Sequence, residues 1–378
     1  MTNDKSSQWL TEPPSAEVAQ SLRRVASSPD VARLAVMPDV HLAEGVCVGA
    51  VVATTRYVFP AAVGSDIGCG MAALPMDADA GLLADSIAAA RLLKGLSLAV
   101  PTIRHSKATM PDSIPQSLVE HGLSSPSLES GKRRDGRVQC GTLGRGNHFL
   151  ELQADDSDRL WIMLHSGSRG IGQGISSWHM PDDREHDRKR TLFALDTETE
   201  SGLAYLNDAE WAVRYARASR RLMLEAVVDL LERLFGVVAD WKGLIDADHN
   251  HVRREKHDGQ DLFVHRKGAQ SAREGEWAIV PGSMGAESFL VTGRGIAKSL
   301  HSCSHGAGRR LSRSEARRTV SPQKLEGEMG TVWFDHRRCR QLCDEAPSAY
   351  KDIQRVMRAQ KELVKIEYRL RPLLSYKG

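Results

Sequence analysis

The sequence predicts an α+β fold in which helices surround a mixed sheet. Apolar, β-branched runs typical of buried strands are intermingled with amphipathic stretches, and the two do not alternate as regular βαβ units. No GxGxxG motif leads from a strand into a helix, which disfavours a doubly wound dinucleotide fold. With 378 residues and 41% hydrophobic content, the chain can bury a sizeable core. We therefore expect one domain over residues 1–378, with a polar N-terminal segment over 1–30.

The composition narrows the class of protein. Lys and Arg number 51 and Asp and Glu 48, a formal charge of +3, which is too small for a general nucleic-acid coat. No window approaches the roughly 18 apolar residues that span a bilayer, and the N-terminus has no apolar signal region. The six Cys form no CxxC pair, which favours reduced thiols or ligands. We expect a cytoplasmic protein that does not act at a membrane.

The first half of the chain begins with a capped helix. Ser15 can cap AEVAQSLRRVA, in which Val18, Leu22 and Val25 recur at helical intervals. Two strands, VARLAVMPDV and VCVGAVVATT, should follow, and the glycines of VGSDIGCGM then predict a tight loop. Pro, Ser and charged residues rise over residues 108–137, which predicts a flexible loop there.

The second half contains the longest helical pattern. GTLGRGNHFLEL and RLWIMLHSGSRGIG each pair a strand with a Gly-rich loop that carries a His. Residues 206–238 predict a long scaffold helix, and residues 350–364 predict a shorter amphipathic one. A strand-like IEYRLRPLLSYKG completes the pattern.

Five dispersed side chains offer ligands for divalent transition metals. They are Asp66, Cys69, His148, His165 and His249, and a bridging thiolate among them would allow two ions to lie close together. Glycines near Cys69, His148 and His165 suit a close approach of the backbone to a ligand, whereas His249 lacks them. Taken singly, each His could equally be a hydrogen-bonded loop residue.

A sixth candidate, His305 in SCSHGAGRR, belongs to a different chemistry. Glycines on its C-terminal side and two arginines beyond them favour a nucleophile or a phosphate contact, with a simple turn histidine as the alternative. PGSMGAES supplies backbone N–H groups and hydroxyls that could contact a phosphate or a base, although such turns are frequent.

These motifs resemble the RtcB family of RNA ligases, in one order from about residue 33 onwards. The motifs are MPDVHLAEG, VGSDIGCGM, GRGNHFLEL, HSGSRGIG, HRKGAQSA, VPGSMG, SCSHGAGR, DEAPSAYK and the terminal KG. The resemblance implies an RtcB-like catalytic domain that depends on GTP and manganese. Such a ligase joins an RNA 3'-phosphate or 2',3'-cyclic phosphate end to a 5'-hydroxyl end, in RNA repair or tRNA splicing. The resemblance does not identify an accessory protein.

The resemblance also implies roles for individual residues. Asp66, Cys69, His148, His165 and His249 would hold two Mn²⁺ ions with Cys69 as the bridge, and His305 would become guanylylated. Arg145 and Arg169 would contact RNA phosphates. The guanylate pocket would comprise Asn147, His148, Phe149, Leu150, Glu151, His249, Asn250, Pro281, Gly282, Ser283, Met284, Ser288, His305, Gly306, Ala307, Gly308 and Lys377.

Two other function classes remain open at this point. A metal-dependent phosphohydrolase acting on cyclic phosphate ends of RNA would need the ligands but not His305. A noncatalytic RNA-binding relative would keep the ligands only as structural sites. His41 and His265 lie near the motifs and could contact RNA or metal, but packing in a loop is the more common role for such residues. The HLAEG segment departs from the more usual glycine- and aromatic-rich version in the family, and this departure affects substrate choice more than catalysis.

Overall fold

The computed structural model describes residues 5–107, 110–180 and 192–378. Its strands are β1 (Ser6–Gln8), β2 (Val31–His41), β3 (Val48–Thr54), β4 (Tyr57–Val58), β5 (Gly70–Asp79), β6 (Phe149–Ala154), β7 (Arg159–Ser166), β8 (Leu195–Asp196), β9 (Ile245–Asp248), β10 (Asn250–His257), β11 (Gln260–Lys267), β12 (Ala269–Ser271), β13 (Trp277–Val280), β14 (Ser288–Gly293), β15 (Ser302–Ser304) and β16 (Val364–Lys377). Its α-helices are α1 (Ala16–Ala26), α2 (Ser86–Ala99), α3 (Gln116–Glu120), α4 (Pro126–Gln139), α5 (Arg169–His179), α6 (Glu200–Phe235), α7 (Arg313–Thr319), α8 (Pro322–Met329), α9 (Cys339–Leu342) and α10 (Ile353–Ala359). The predicted α+β class is confirmed.

Two larger sheets organise the chain. The seven-stranded sheet has the order β13-β14-β16-β6-β7-β5-β9, and the five-stranded sheet has the order β1-β2-β3-β11-β10. The β1–β2 pair is parallel, whereas the other pairs of these two sheets are antiparallel. In the part of the chain that the structure describes, no helix is both long and apolar enough to cross a bilayer.

The seven-stranded sheet buries a different set of side chains on each face. On one face, Leu150 and Leu164 join the core beneath α2 and α6. On the other face, Phe149 and Met163 join a smaller apolar cluster. Because successive residues of a strand point to opposite faces, β6 directs Phe149 and Glu151 away from the helices. Glu151 therefore lies on the face of the sheet that the long helix does not cover.

The predicted scaffold helix is longer than its pattern indicated. It begins at Glu200, where the hydroxyl of the cap residue Thr199 accepts from Gly202 N, and ends at Phe235 before Gly236 at φ +70°. That left-handed conformation suits a glycine after the last turn. The predicted first helix is confirmed as α1, capped by Ser15.

Two expectations about other segments were wrong. Residues 108–137, for which composition predicts a flexible loop, contain α3 and most of α4 in their described part, and Leu118 and Leu128 are buried. Ser125 caps α4 and Pro126 occupies its first turn, so these two residues begin a helix rather than a loop. The helix predicted over 350–364 is confined to α10, because β16 already begins at Val364.

A buried arginine ties α6 to the sheet edge. Arg220 is fully buried, and its guanidinium donates to Gly68 O (2.9 Å) and Ser166 O (3.1 Å). It also donates to Asp246 Oδ1 (2.9 Å) and Asp248 Oδ1 (2.8 Å). Since a buried charge needs partners on all its donors, this arginine fixes the positions of β5, β7 and β9 relative to α6.

We expect the Arg220→Met variant to lose about 3–5 kcal/mol of unfolding free energy, because Asp246 and Asp248 would lose a buried partner. Urea denaturation followed by circular dichroism measures this change. Arg221→Met is the matched control, since Arg221 lies half-exposed on the same helix and pairs with Glu225. Its expected cost is about 1 kcal/mol or less. Equal stability of the two variants would contradict the anchoring role of Arg220.

Candidate active site

The metal-ligand candidates converge because four neighbouring strands place their ends at one edge of the seven-stranded sheet. Phe149 pairs with His165, His165 pairs with Met71, and Gly70 pairs with Asp248. His148, Cys69 and His249 each lie one residue outside these strand ends, so the ladder carries them to the same place.

The five side chains form a continuous chain of contacts. Cys69 Sγ lies 3.5 Å from His148 Nε2 and 3.2 Å from His165 Nε2. His148 Nε2 lies 3.0 Å from Asp66 Oδ2, and His165 Nε2 lies 3.3 Å from His249 Nε2. The thiol therefore sits between an Asp–His pair and a His–His pair, as a ligand shared by two ions would. All five predicted ligands are brought together.

Hydrogen bonds prepare the imidazoles to bind a metal. His148 Nδ1 donates to Leu143 O (2.9 Å) and His165 Nδ1 donates to Asn147 O (3.2 Å), so both Nε2 lone pairs point towards Cys69. Burial lowers the pKa of His165 and His249 well below the ordinary value, which keeps both rings neutral. His249 Nδ1 is buried without a hydrogen-bond partner.

Burial opposes ionisation of both acidic ligands, but the pKa of each moves in a different direction. Burial raises the pKa of the Cys69 thiol well above its ordinary value, so a nearby cation is required to make it a thiolate. Burial also opposes ionisation of Asp66, but the neighbouring His148 ring and the charge of Arg169 outweigh it and lower the pKa. The ligand atoms of Cys69, His148 and His165 lie within 4.8 Å of one another, so this donor set fits a divalent transition ion.

Replacing Cys69 with Ala should raise the dissociation constant for Mn²⁺ at least about tenfold, because even outer-shell changes at metal sites have effects of that size. Isothermal titration of metal-free protein with Mn²⁺ gives the constant. Cys140→Ala, which removes another buried free thiol, serves as the control and should bind Mn²⁺ normally. Unchanged binding by the Cys69 variant would show that this thiol is not a ligand.

His305 follows directly after β15 and is held by Asp39 of β2. Asp39 Oδ2 accepts from His305 N (3.1 Å) and from His305 Nδ1 (2.7 Å), and Asp39 is fully buried. The ring centroids of His249 and His305 are 4.8 Å apart. Since Nδ1 carries the donated proton, the Nε2 lone pair of His305 is free to act as a nucleophile.

Gly308 allows this loop to pack against β2. It lies at φ +73°, and a Cβ atom at this position would be 2.2 Å from Asp39 O. A larger residue would therefore clash with the residue that orients His305. The last glycine of the SHGAG motif is therefore required for packing, whereas the histidine of the motif is the candidate nucleophile.

A cavity of about 350 Å³ runs from the ligands past His305 to Lys377. Most of the predicted ligand and pocket residues line it, namely Asp66, Cys69, Asn147, Phe149, Glu151, His165, His249, Asn250, Pro281, Gly282, Ser283, Met284, His305, Gly306, Ala307, Gly308 and Lys377. Three other predicted residues do not. His148 lies behind the cavity in the ligand cluster, the Leu150 side chain packs in the core under α2 and α6, and Ser288 accepts from Gln153 Nε2 (3.1 Å).

Several lining residues were missed from the sequence. Lys267, Arg313, Glu345 and Tyr350 line the cavity, and Asp39 lies beneath His305. Arg309, one of the two arginines of SCSHGAGRR, also lines it. Asp39, Lys267, Arg309, Glu345 and Tyr350 fall inside the motifs MPDVHLAEG, HRKGAQSA, SCSHGAGR and DEAPSAYK, so the motif boundaries were the available signal. His41, which was weighed against a packing role, also lines the cavity.

The far end of the cavity combines a cation with carboxyl groups. Lys377 pairs with Glu345, which also accepts from Tyr350 Oη (2.7 Å) and Arg313 Nη1 (2.9 Å). Burial raises the pKa of Glu151 to about 7, although Ser375 Oγ (2.9 Å) and Gln153 Nε2 (2.6 Å) donate to it. The Lys377 ammonium can donate to an acceptor on a nucleotide base, and a carboxylate beside it can accept from donors on the same base.

Glu151 predicts a pH dependence of stability. Between its ordinary value of 4.5 and about 7, the folded protein holds this proton and the unfolded chain does not, so rising pH lowers the free energy of unfolding. In Glu151→Gln this loss of about 3 kcal/mol between pH 4.5 and pH 8 should be absent. Urea denaturation at both pH values measures it. Glu200→Gln, an exposed change, is the control and should follow the wild type.

A second opening of about 340 Å³ adjoins the ligand cluster. Asp66 and Asn147 line both spaces, and Arg145 and Arg169, the predicted phosphate contacts, lie at the second one. Arg169 adopts φ +61° and donates to Thr102 O (3.1 Å). Such a strained conformation in a non-glycine residue is typical of functional sites.

His265 does not reach the cavity. Its Nε2 accepts from Phe59 N (2.9 Å) and its Nδ1 donates to Val52 O (3.0 Å), so the buried ring joins β11 to its surroundings. The packing role is confirmed for His265.

The five cysteines outside the ligand cluster are buried free thiols. They are Cys47, Cys140, Cys303, Cys339 and Cys343.

Comparison with known proteins gives one consistent result. A family model described as "tRNA-splicing ligase RtcB" matches residues 21–378. The RNA-splicing ligase RtcB of Escherichia coli K12 is 38% identical over 97% of this chain and 95% of its own. The RNA-splicing ligase RtcB of Mycobacterium tuberculosis is 30% identical over 94% of this chain and 99% of its own.

Fold, ligand cluster and relatives together define an enzyme of the RNA ligase class. The chain belongs to the RtcB family.

Proposed function

We propose that this enzyme joins RNA 3'-phosphate or 2',3'-cyclic phosphate ends to 5'-hydroxyl ends, using GTP and two Mn²⁺ ions and a guanylylated His305. The observation that supports this most directly is the contact between Asp39 and His305. It lies beside the ligand cluster, and His305 lines the same cavity as Asp66, Cys69, His165 and His249. A phosphohydrolase would need the ligands but no oriented nucleophile. RNA repair or tRNA splicing in the cytoplasm is the proposed setting.

Two groups of residues would divide the work of binding. Asp66 and His148 would hold one ion and His165 and His249 the other, with Cys69 between them. When bound, the ions would offset negative charge on the phosphate oxygens. The choice of manganese rests on the family resemblance, because a thiolate with imidazoles would by softness suit zinc better.

The nucleotide base would lie at the other end of the cavity. Guanine presents an acceptor at O6 and donors at N1 and N2, and Lys377 with Glu151 provides the complementary donor and acceptor. Phe149 lines the same cavity and offers a ring for stacking. These contacts would position the α-phosphate near His305.

The first step forms a covalent bond to the protein. His305 Nε2 attacks the α-phosphorus of GTP, a P–N bond forms, and the P–O bond to pyrophosphate breaks. The imidazole becomes positively charged, and the Asp39 carboxylate at Nδ1 offsets that charge.

The remaining steps transfer the guanylate and then release it. An oxygen of the RNA 3'-phosphate attacks the same phosphorus, the P–N bond breaks, and His305 returns to its neutral form. A 5'-hydroxyl then attacks the activated RNA phosphate, and GMP leaves. A cyclic phosphate end would first be hydrolysed to a 3'-phosphate. Arg145 and Arg169 would hold RNA phosphates at the second opening.

We also propose that residues 1–378 act as one domain, because the site draws on both large sheets. Asp39 belongs to β2 of the five-stranded sheet, whereas His165 belongs to β7 of the seven-stranded one.

Incubation with α-labelled GTP and Mn²⁺ should transfer label to the protein as an acid-labile adduct. His305→Ala should reduce labelling at least about 1,000-fold, since the nucleophile itself is removed. His336→Ala, a change at an exposed histidine, is the control and should label normally.

Labelling that survives His305→Ala would disprove the nucleophile assignment. Hydrolysis of cyclic phosphate ends without any labelling or joining would instead support the phosphohydrolase alternative. Joining of RNA ends in the absence of a guanosine nucleotide would contradict the proposed mechanism.

A further inference from the structure

We infer that His41 is a catalytic residue of the joining step, in which it takes the proton of the RNA 5'-hydroxyl. This inference rests on the proposed function, because it concerns its last step. Attack by a 5'-hydroxyl requires that its proton go to some acceptor. The cavity contains few groups that can take it.

The position of His41 comes from β2. Asp39 and His41 lie two residues apart near the end of this strand, where its pairing with β3 is irregular. Asp39 uses its carboxylate to hold His305, and its main-chain carbonyl accepts from His41 Nδ1 (2.9 Å). One residue thereby orients both imidazoles.

The hydrogen bond of His41 sets its tautomer. With Nδ1 donating to Asp39 O, Nε2 carries the lone pair. Burial lowers the pKa of His41 to about 4. Positive charge on His305 or Lys351 also lowers it, whereas Asp39 raises it. The ring is therefore neutral near pH 7, and Nε2 holds no proton there.

Other titratable groups lining the described cavity are already engaged. Asp66, Cys69, His165 and His249 are the ligand candidates. Glu345 is bound by Lys377, Arg309, Arg313 and Tyr350. Glu151 accepts from Ser375 and Gln153 at the far end. Lys267 donates to Glu44 O and Ala61 O, which leaves His305 and His41 as acceptors for the proton, and of these two His41 alone also lines a groove that leads to the outside.

A route to His41 exists from outside. A groove of about 870 Å³ lies between residues 10–15 and residues 309–317, and His41, Arg309 and Arg313 line both this groove and the cavity. Arg310, Arg317 and Lys351 also line it. Five Lys and Arg side chains line the groove against three Glu, namely Glu12, Glu17 and Glu315. A strand with a free 5'-hydroxyl carries its phosphates behind that end, so a groove with this excess of positive charge suits it.

In the joining reaction, one O–H bond and one P–O bond break and one new P–O bond forms. The O5'–H bond breaks and its proton moves to His41 Nε2. O5' forms a bond to the phosphorus of the RNA 3'-end, and the bond between that phosphorus and the GMP oxygen breaks. His41 passes the proton to water when the product leaves.

The test separates three reactions of the full-length protein with Mn²⁺. These are labelling of the protein by α-labelled GTP, transfer of the guanylate to RNA 3'-phosphate, and joining of a preformed guanylylated 3'-end to a 5'-hydroxyl RNA. His41→Ala should keep the first two within threefold of wild type and slow the third about 100-fold or more. Added imidazole should restore part of the joining rate.

His41→Gln is the second variant, since it retains a donor for Asp39 O but cannot take a proton, and it should show the same pattern. His336→Ala is the control and should perform all three reactions normally. Equal slowing of the three reactions, or unimpaired joining, would overturn the role of His41. Failure of the wild-type protein to label or join would instead overturn the proposed function itself.

Discussion

The ion-pair network of Arg220 is the interaction on which the site depends. Its guanidinium reaches the carbonyl of Gly68, next to Cys69, and the carbonyl of Ser166, next to His165. It also pairs with Asp248, next to His249. Three separate ligand segments are therefore fixed to one side chain of α6, which itself is held in the core. The ligand cluster extends in sequence from Asp66 to His249, and this shared anchor together with the register of four strands holds it within a few ångströms.

The sequence was most informative where chemistry and packing both restrict a residue. The β-branched runs of β2 and β3 and the capped α1 could be predicted, because burial and capping leave a local pattern. The metal ligands could be proposed because Cys, His and Asp beside glycines are unusual in combination. Their convergence could not be worked out from spacing, since it depends on the register of four strands.

The errors have physical reasons as well. α4 was missed because its Pro and Ser residues lie at its start, where they favour a helix, and its charged residues obscure the apolar ones. Leu150 was placed in the pocket with its motif, although the alternation of β6 sends its side chain to the opposite face. Asp39 and Glu345 were overlooked because each acts through a contact with a residue distant in sequence.

The wide spacing of the site residues also bears on biosynthesis. Asp39 and His305 are 266 positions apart, and Glu345 meets Lys377 only when β16 has joined β6. An emerging polypeptide therefore has no assembled cavity while the ribosome is still translating its middle third. Such a protein, which would handle broken RNA ends, should be chemically silent until almost all of it has been synthesised and folded.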